Sequence, residues 1–467
     1  MIDSGATLAR RLERYRAAMH AAVPRDTGPP AAACGQGLAE RLAAAMDGEI
    51  VVTTEGTIVR CEVPTRPIPV DRERLAALPG QPPPNTPLVC LDTETTGLAT
   101  AAGTVAWLIG LGWWEGDRFR QVQLLLPDHA DERALLTSLA TTIAPNAWLV
   151  TYNGRGFDWP LLVARYRLAR RSAPVHGGHL DLLPIVRRLF RHRMADARLR
   201  TAEAELLGLH RVGDVEGWEI PSRYLQFLRG GSADGLVEVV RHNDQDVRSL
   251  ARLLAHLEMR FGDAHRRAEA APGDLAGLAR AFAREHRLGE ALACLDAAMV
   301  RAVDGPVDGP LAPIRAAARE TTSIDDEPWW SPRRPADFGG RTRQPPILGG
   351  TLQTAAFDAP WTTERIAIDR AHLLRRLGRH QDAAEAWEAL AAGTGRCAIL
   401  ATIELAKLQE HRLGDRIAAM GAVLRGFSLI ERRGRLGRPE PALEADLVRR
   451  HDRLQRRGAI VARRSIA

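Results

Sequence analysis

The chain has 467 residues, 45% hydrophobic and 26% charged, with a formal net charge of +7. Two or three domains are expected at this length. No apolar run is long enough to cross a bilayer, and the N-terminus lacks the apolar core of a secretion signal. Five cysteines without a CxxC pair argue against a disulfide framework or a zinc site. We expect a soluble, cytoplasmic protein with no membrane partner.

Residues 1–87 are predicted to contain an N-terminal helix, a hairpin and a linker. The alternating stretch from Glu49 to Val63 indicates the hairpin, with Glu-Gly at its turn. Proline dominates residues 79–87, which is typical of a semi-rigid linker. We therefore place a boundary at residue 87.

Residues 88–260 predict one α/β domain. The segment 88–94 is an apolar strand that ends in acids, and 104–126 contains two further strands around a Glu-Gly-Asp turn. A helix, a buried strand and a second helix follow, and 233–260 has helical periodicity throughout. This order predicts an RNase H-like mixed sheet flanked by helices.

Residues 261–467 are predicted to be helical, with a flexible linker rich in Gly, Pro and Arg at 303–360. Small and apolar residues recur at matched spacings on both sides of that linker. The first set is Ala279, Phe282, Ala291, Leu295 and Ala298, and the second is Ala371, Leu374, Ala383, Trp387 and Leu390. These segments resemble degenerate tetratricopeptide repeats, and an ordinary helical bundle is the alternative.

Arginine is concentrated between residues 165 and 200, a segment that contains ten arginines and only two aspartates. Such a cluster suits a polyanion, because each phosphate contact releases condensed counterions. The choice of arginine over lysine by itself reflects a GC-rich genome. A nucleic-acid partner is the functional interpretation.

Asp92 and Glu94 stand two residues apart in a strand, so both carboxylates leave the same face. Two acids at the end of a buried strand repel each other unless cations neutralise them. Hard divalent cations with oxygen ligands, Mg²⁺ or Mn²⁺, meet this requirement. A solvated strand end is the structural alternative.

Two later segments supply further acids. Asp158 lies at a strand-to-helix transition after Asn153, although by itself it could be only a helix cap. Asp246 and His242 are four residues apart on a helix and share a face, whereas Asp244 points elsewhere and is expected to be solvated. Four acids could then hold two metal ions, with His242 accepting a proton from the attacking water.

These motifs resemble the DEDD exonuclease superfamily, most closely its YprB-type RNase H-like domain. The resemblance covers a little over a third of the chain and rests on three motifs in order, with two family-like segments between the second and third. The motifs are 91-LDTETTGL-98, the segment 152–158 with Tyr-Asn-Gly and Phe-Asp, and 242-HNDQDV-247, and the intervening segments are 179-HLDLL-183 and 217-GWEIP-221 with Tyr224.

The resemblance implies a two-metal-ion 3′–5′ exonuclease with Asp92, Glu94, Asp158 and Asp246 as metal ligands. It also implies that Thr95, Thr96, Gly97 and Leu98 line the 3′-terminal nucleotide, with Asn153 as a further substrate contact. Asp181 is a structural or supporting candidate. In the family a histidine base precedes the last aspartate by five residues and a tyrosine by four, whereas His242 has the four-residue spacing.

The leading hypothesis is a metal-dependent 3′–5′ exonuclease acting on single-stranded or frayed DNA, with a role in DNA repair. An RNA exonuclease with the same catalytic domain is the first alternative. A non-catalytic adaptor that binds nucleic acid and recruits partners through helical repeats is the second. The helical region is also a candidate surface for a protein partner such as a helicase.

Overall fold

The computed structural model describes residues 37–97, 103–304 and 362–466, with side chains to residue 456. The chain divides into two compact units. The first contains residues up to 187 together with 194–266, and the second contains 188–193 together with residues from 267 onward. The predicted N-terminal helix, Leu98 and the linker from residue 305 lie outside the described residues.

The first unit is built on a seven-stranded mixed sheet in the order β1-β2-β5-β4-β3-β6-β7. The strands are β1 (Glu49–Thr53), β2 (Gly56–Pro67), β3 (Leu88–Thr95), β4 (Ala106–Glu115), β5 (Arg118–Leu125), β6 (Trp148–Thr151) and β7 (Gly178–Asp181). In this order, the pairs β1–β2, β2–β5, β5–β4 and β4–β3 are antiparallel. The pairs β3–β6 and β6–β7 are parallel. The predicted meander of β3, β4 and β5 is confirmed.

The hairpin of β1 and β2 forms as predicted, with Thr53 opposite Gly56 across its turn. Gly56 has a φ of 134°, a conformation that only glycine adopts readily. However, β2 also pairs with β5 and extends the sheet. The boundary predicted at residue 87 therefore does not separate two units, because the free edge of β5 is covered by this earlier strand.

Helices flank the sheet, as the α/β class requires. They are α1 (Leu38–Met46), α2 (Arg72–Ala76), α3 (Glu132–Thr142), α4 (Asp158–Leu168), α5 (Leu182–Phe190), α6 (Leu199–Ala202), α7 (Ile220–Leu228), α8 (Asp234–Leu257) and α9 (Ala264–Ala268). The first four residues of β3 are all buried. A continuous apolar run, rather than alternation, is expected where both faces of a strand are covered.

Helix α8 lies directly on the face of the sheet that carries the acids. Asp92 pairs with Gly110 on β4, and Gly110 pairs with Gln123 on β5, so these three residues share that face. A Cβ atom at Gly110 would lie 2.2 Å from Asn243 Oδ1 and 2.7 Å from Val247 Cγ2. The missing side chain at position 110 therefore sets how closely α8 approaches β3 and β4.

We expect Gly110→Ala to destabilise the first unit by about 1–3 kcal/mol, the usual cost of overpacking a close contact. Thermal unfolding of the full chain measures the change. Gly235→Ala is the control, because a Cβ there meets nothing within 4 Å and the residue lies in α8, the helix that packs against Gly110. An unchanged melting temperature for Gly110→Ala would contradict the close approach of α8.

The second unit is helical, as predicted. Its main helices are α10 (Pro272–Arg284), α11 (Leu288–Asp304), α12 (Thr363–Arg376), α13 (His380–Ala391), α14 (Arg396–Leu408), α15 (Arg416–Arg435) and α16 (Pro441–Ile466). Helices α10 and α11 pack on each other, and so do α12 and α13. Nine of the ten matched positions from the sequence are buried, and Leu390 is half-buried.

The cysteines among the described residues lie in the interior of the protein. These four, Cys61, Cys90, Cys294 and Cys397, are free thiols and buried. Within the described ranges, every helix is too short or too polar to cross a membrane.

Candidate active site

Asp92 and Glu94 leave β3 on the face that α8 covers. Both are partly exposed, while Thr93 and Thr95 between and after them are buried. Asn243 on α8 donates from Nδ2 to Asp92 Oδ2 at 2.9 Å, and its Oδ1 accepts from Gln123 at 2.9 Å. Asn243 is fully buried, so it fixes the rotamer of Asp92 against the sheet.

Asp158 reaches the site from the loop after β6. Asn153 takes a left-handed conformation with a φ of 70°, which turns the chain before α4 begins at Asp158. The Asp158 carboxylate is buried and accepts a hydrogen bond from Thr93 Oγ1 at 2.5 Å. Asp158 is the first residue of α4 rather than its cap, because Phe157 occupies the capping position.

Asp181 holds the turn that positions Asp158. Its Oδ1 accepts from the backbone N–H of Asn153 at 2.8 Å and of Leu183 at 3.1 Å. Its Oδ2 accepts from the backbone N–H of Arg155 at 3.2 Å. A carboxylate that satisfies three otherwise unpaired donors is a structural anchor, which agrees with the supporting role expected from the sequence.

Asp246 and His242 occupy one face of α8, as their spacing predicts. His242 Nε2 lies 3.6 Å from Asp246 Oδ2 and 3.9 Å from Glu94 Oε1. Asp244 points away from this cluster, but it is not simply solvated as expected. Its side chain is 22% exposed, accepts from Gln121 Nε2 at 3.1 Å and pairs with Arg248, because β5 lies beneath this side of the helix.

Three further residues join the site from a segment that carried no recognised motif. Arg211 donates to Asp246 and to Asp214, and it forms two hydrogen bonds of 2.6 Å with Glu203. Glu203 lies in a π-helical turn and is fully buried. Asp214 Oδ1 lies 2.6 Å from His242 Nδ1. Arg211 and Asp214 could not be predicted from a sequence pattern, because the segment that contains them has no regular period.

The carboxylates influence one another electrostatically. Burial, and then neighbouring carboxylates, raise the pKa of Asp92 well above its ordinary value. Those neighbours are Asp246, Asp158 and Glu94. Burial, followed by the charges of Asp246 and Asp158, likewise raises the pKa of Glu94. The acids predicted from three separate segments are thus brought close enough to repel, and the cluster is short of positive charge.

The donor set suits a hard divalent cation, since it consists of carboxylate oxygens in a partly buried site. Among the described residues, however, no three Asp, Glu, His or Cys side chains are arranged as a ready metal-binding group. Asp92, Asp158 and Asp246 each accept a hydrogen bond from a protein donor through one carboxylate oxygen. Their other oxygens are the atoms that would bind a cation.

The segment predicted to line the terminal nucleotide is described as far as Gly97. Thr95 Oγ1 donates to the carbonyl of Gly97 at 2.6 Å. Thr96 Oγ1 accepts from the backbone N–H of Val105 at 3.0 Å. Each hydroxyl keeps hydrogen-bonding capacity, because Thr95 Oγ1 can still accept and Thr96 Oγ1 can still donate.

The arginines between 165 and 200 do not form one free basic cluster. Arg165 pairs with Glu132 at 2.5 Å, Arg171 with Glu55 at 2.5 Å, and Arg193 with Asp274 at 3.1 Å. Residues 188–193 also belong to the second unit rather than the first. Carboxylates from other parts of the sequence therefore neutralise part of the positive charge that the arginine count between residues 165 and 200 indicated.

This sheet, with acids at the end of the interior strand β3 and on a covering helix, defines an RNase H-like domain. The RNase H superfamily model matches residues 89–258. The uncharacterized protein YprB of Bacillus subtilis (strain 168) is 39% identical over 176 residues, covering 37% of this chain and 42% of that protein. Residues 89–258 therefore form an RNase H-like domain of the YprB type, and the chain spans less than half the length of this relative.

Asp158 makes the stability of the metal-free protein depend on pH. Burial raises its pKa from 3.8 to about 6, against a hydrogen bond from Thr93 that lowers it. The folded state then keeps a proton that the unfolded chain releases, so stability falls as pH rises through this window. We expect Asp158→Asn to gain about 2–3 kcal/mol relative to wild type between pH 4 and pH 7.

Parallel denaturation of both proteins in EDTA measures this difference. Asp196→Asn, which alters an exposed carboxylate of the first unit paired with Arg198, is the control for nonspecific charge effects. A stability difference that stays constant with pH would show that Asp158 is ionised throughout.

Proposed function

We propose that residues 88–260 catalyse metal-dependent 3′–5′ exonucleolytic hydrolysis of DNA. Single strands and frayed ends are the proposed substrates, and DNA repair is the proposed setting. Two divalent cations, Mg²⁺ or Mn²⁺, are the proposed cofactors, with Asp92, Glu94, Asp158 and Asp246 as their ligands. The RNase H-like fold supports a nuclease, and the finer assignments rest on the site.

The observation that carries this proposal is that four carboxylates from separate elements are held next to one another: Asn243 of α8 bonds Asp92, Thr93 of β3 bonds Asp158, and His242 Nε2 lies within 4 Å of both Glu94 and Asp246. Asp92 and Glu94 come from β3, Asp158 from the start of α4, and Asp246 from α8. Burial, and then the charges of Asp246 and Asp158, raise the pKa of Asp92 and of Glu94 well above their ordinary values. A protein keeps such an arrangement at a cost in stability, which bound cations offset.

The reaction needs a nucleophile, a proton acceptor and stabilisation of the leaving oxygen. Divalent cations in such a site lower the pKa of bound water and stabilise charge on the phosphate and the leaving oxygen. His242 is the proton acceptor in this proposal, because its Nε2 faces Glu94 and Asp246. Asn243 and Thr93 hold Asp92 and Asp158 in place beside it.

The test uses a single-stranded DNA oligonucleotide labelled at its 5′ end, with Mn²⁺, Mg²⁺ or EDTA. We expect progressive shortening from the 3′ end with either metal and none in EDTA. Asp92→Ala should not shorten the substrate. Activity that survives this substitution would sink the assignment of the site.

The same assay separates the alternatives. A matched RNA oligonucleotide that is cleaved faster than DNA would identify an RNA exonuclease, and a 3′-labelled substrate checks polarity. Metal-independent binding without cleavage of either substrate would favour the adaptor. All arms use the full chain.

We also propose that the second unit binds a protein partner such as a helicase. Small and apolar residues at matched spacings in the pair α10 and α11 and in the pair α12 and α13 are buried, apart from Leu390, which is half-buried. This pattern supports helix pairs of the tetratricopeptide type. A pull-down with residues 262–467 fused to a tag, compared with the full chain, tests the idea. Recovery of no specific protein by either bait would count against it.

A further inference from the structure

The segment between α6 and α7 places two charged side chains beside His242. Arg211 is 3% exposed and Asp214 is 14% exposed, so both are largely withdrawn from water. Both lie outside the helices and strands of the first unit. Charged side chains are rarely held this way in an irregular segment unless they are paired, and here they are paired with each other and with α8.

His242 Nδ1 has two neighbours, one of which requires it to donate a hydrogen bond and the other to accept one. Asp214 Oδ1, at 2.6 Å, can only accept a hydrogen bond, while Arg211 Nη1, at 3.2 Å, can only donate one. The contact with Asp214 is shorter, and Arg211 Nη1 already has an acceptor in Asp214 Oδ2 at 3.0 Å. The geometry therefore favours a proton on Nδ1 that is donated to Asp214.

The other ring nitrogen then has the opposite role. With the proton on Nδ1, neutral His242 leaves the lone pair of Nε2 free. That nitrogen lies 3.9 Å from Glu94 Oε1 and 3.6 Å from Asp246 Oδ2, on the side of the acidic cluster. A water held at the cluster would meet a nitrogen that is able to accept its proton.

We propose that Asp214 is a positioning residue that fixes the ring orientation and the tautomer of His242. This inference rests on the proposed function, in which His242 accepts a proton from the attacking water. Arg211 supports it by holding Asp214 Oδ2, which presents Oδ1 to the ring. Asp214 has no reaction step of its own.

The kinetic test is Asp214→Asn in the labelled-oligonucleotide assay. Arg211 is a charged donor and will take the amide oxygen, so the amide N–H₂ faces Nδ1 and forces the proton onto Nε2. We expect kcat to fall about 10²-fold or more with KM little changed, since a positioned base contributes about 10²–10⁴-fold. Asp214→Glu, which keeps the carboxylate, should recover part of the loss.

A double-mutant cycle separates positioning from a general loss of structure. If Asp214 acts only through His242, then Asp214→Asn combined with His242→Gln should be no slower than His242→Gln alone. Multiplicative losses would overturn the proposal. Glu216→Gln is the matched control, because Glu216 is 61% exposed in the same segment and should leave kcat unchanged.

A second readout does not depend on activity. Histidine ¹⁵N signals of the full chain, metal-free and at mildly alkaline pH, report the tautomer, and His242→Gln identifies the signal of His242. We expect the Nδ1–H form in wild type and the Nε2–H form in Asp214→Asn. An Nε2–H form in wild type would overturn the proposal, whereas inactivity of wild type on DNA and RNA would instead remove the proposed function.

Discussion

Asp246→Asn should abolish nuclease turnover, whereas Asp244→Asn, two residues away on α8, should leave it nearly unchanged. Asp246 faces Glu94 and His242, but Asp244 faces Gln121 on β5. In the proposed site, losing one negative ligand would weaken the binding of a cation that would supply several kcal/mol of transition-state stabilisation, so we expect at least about a 10³-fold loss of kcat/KM.

Calorimetric titration with Mn²⁺ gives the matching binding measurement. Wild type and Asp244→Asn should bind the cation alike, and Asp246→Asn should bind it more weakly. The asparagine oxygen can still accept from Arg211, so the fold should survive the change. Equal activity of the two variants would show that the face of α8 was assigned wrongly.

Two pairs of neighbours in the candidate site could be predicted from the sequence, because each pair follows a short-range rule. The two-residue spacing of Asp92 and Glu94 and the four-residue spacing of His242 and Asp246 follow from strand and helix geometry. The buried position of β3 was also predictable, because a strand covered on both faces has a continuous apolar run. Local periodicity therefore specified the faces that meet.

The residues that hold those acids in place could not be found in this way. Thr93 leaves the opposite face of β3 from Asp92, yet its hydroxyl reaches Asp158. Arg211 lies 35 residues from Asp246 in an irregular segment. The pairing of β2 with β5 joins positions 51 to 66 residues apart. Such contacts depend on the assembled fold, and no spacing in the sequence marks them.

Arg211→Met should destabilise the first unit by about 3–5 kcal/mol, the usual cost of removing one partner of a buried ion pair. Glu203 is fully buried and depends on Arg211 for two hydrogen bonds of 2.6 Å. Burial lowers the pKa of Arg211. The hydrogen bonds and charges of Glu203 and Asp246 raise that pKa by more, so it lies above the ordinary value. Thermal and denaturant unfolding of the full chain in EDTA measure the loss.

A compensating change distinguishes an unpaired charge from lost packing. Combining Arg211→Met with Glu203→Met removes both charges, and stability should largely return, because apolar replacements of buried ion pairs are often neutral or better. Ser249, which donates to Glu203 in wild type, can turn its hydroxyl to a carbonyl of its own helix. Arg200→Met is the surface control, since Arg200 and Glu216 are each 61% exposed and their pair contributes at most about 1 kcal/mol. If the double variant is no more stable than Arg211→Met alone, the guanidinium stabilises the site by packing rather than by neutralising Glu203.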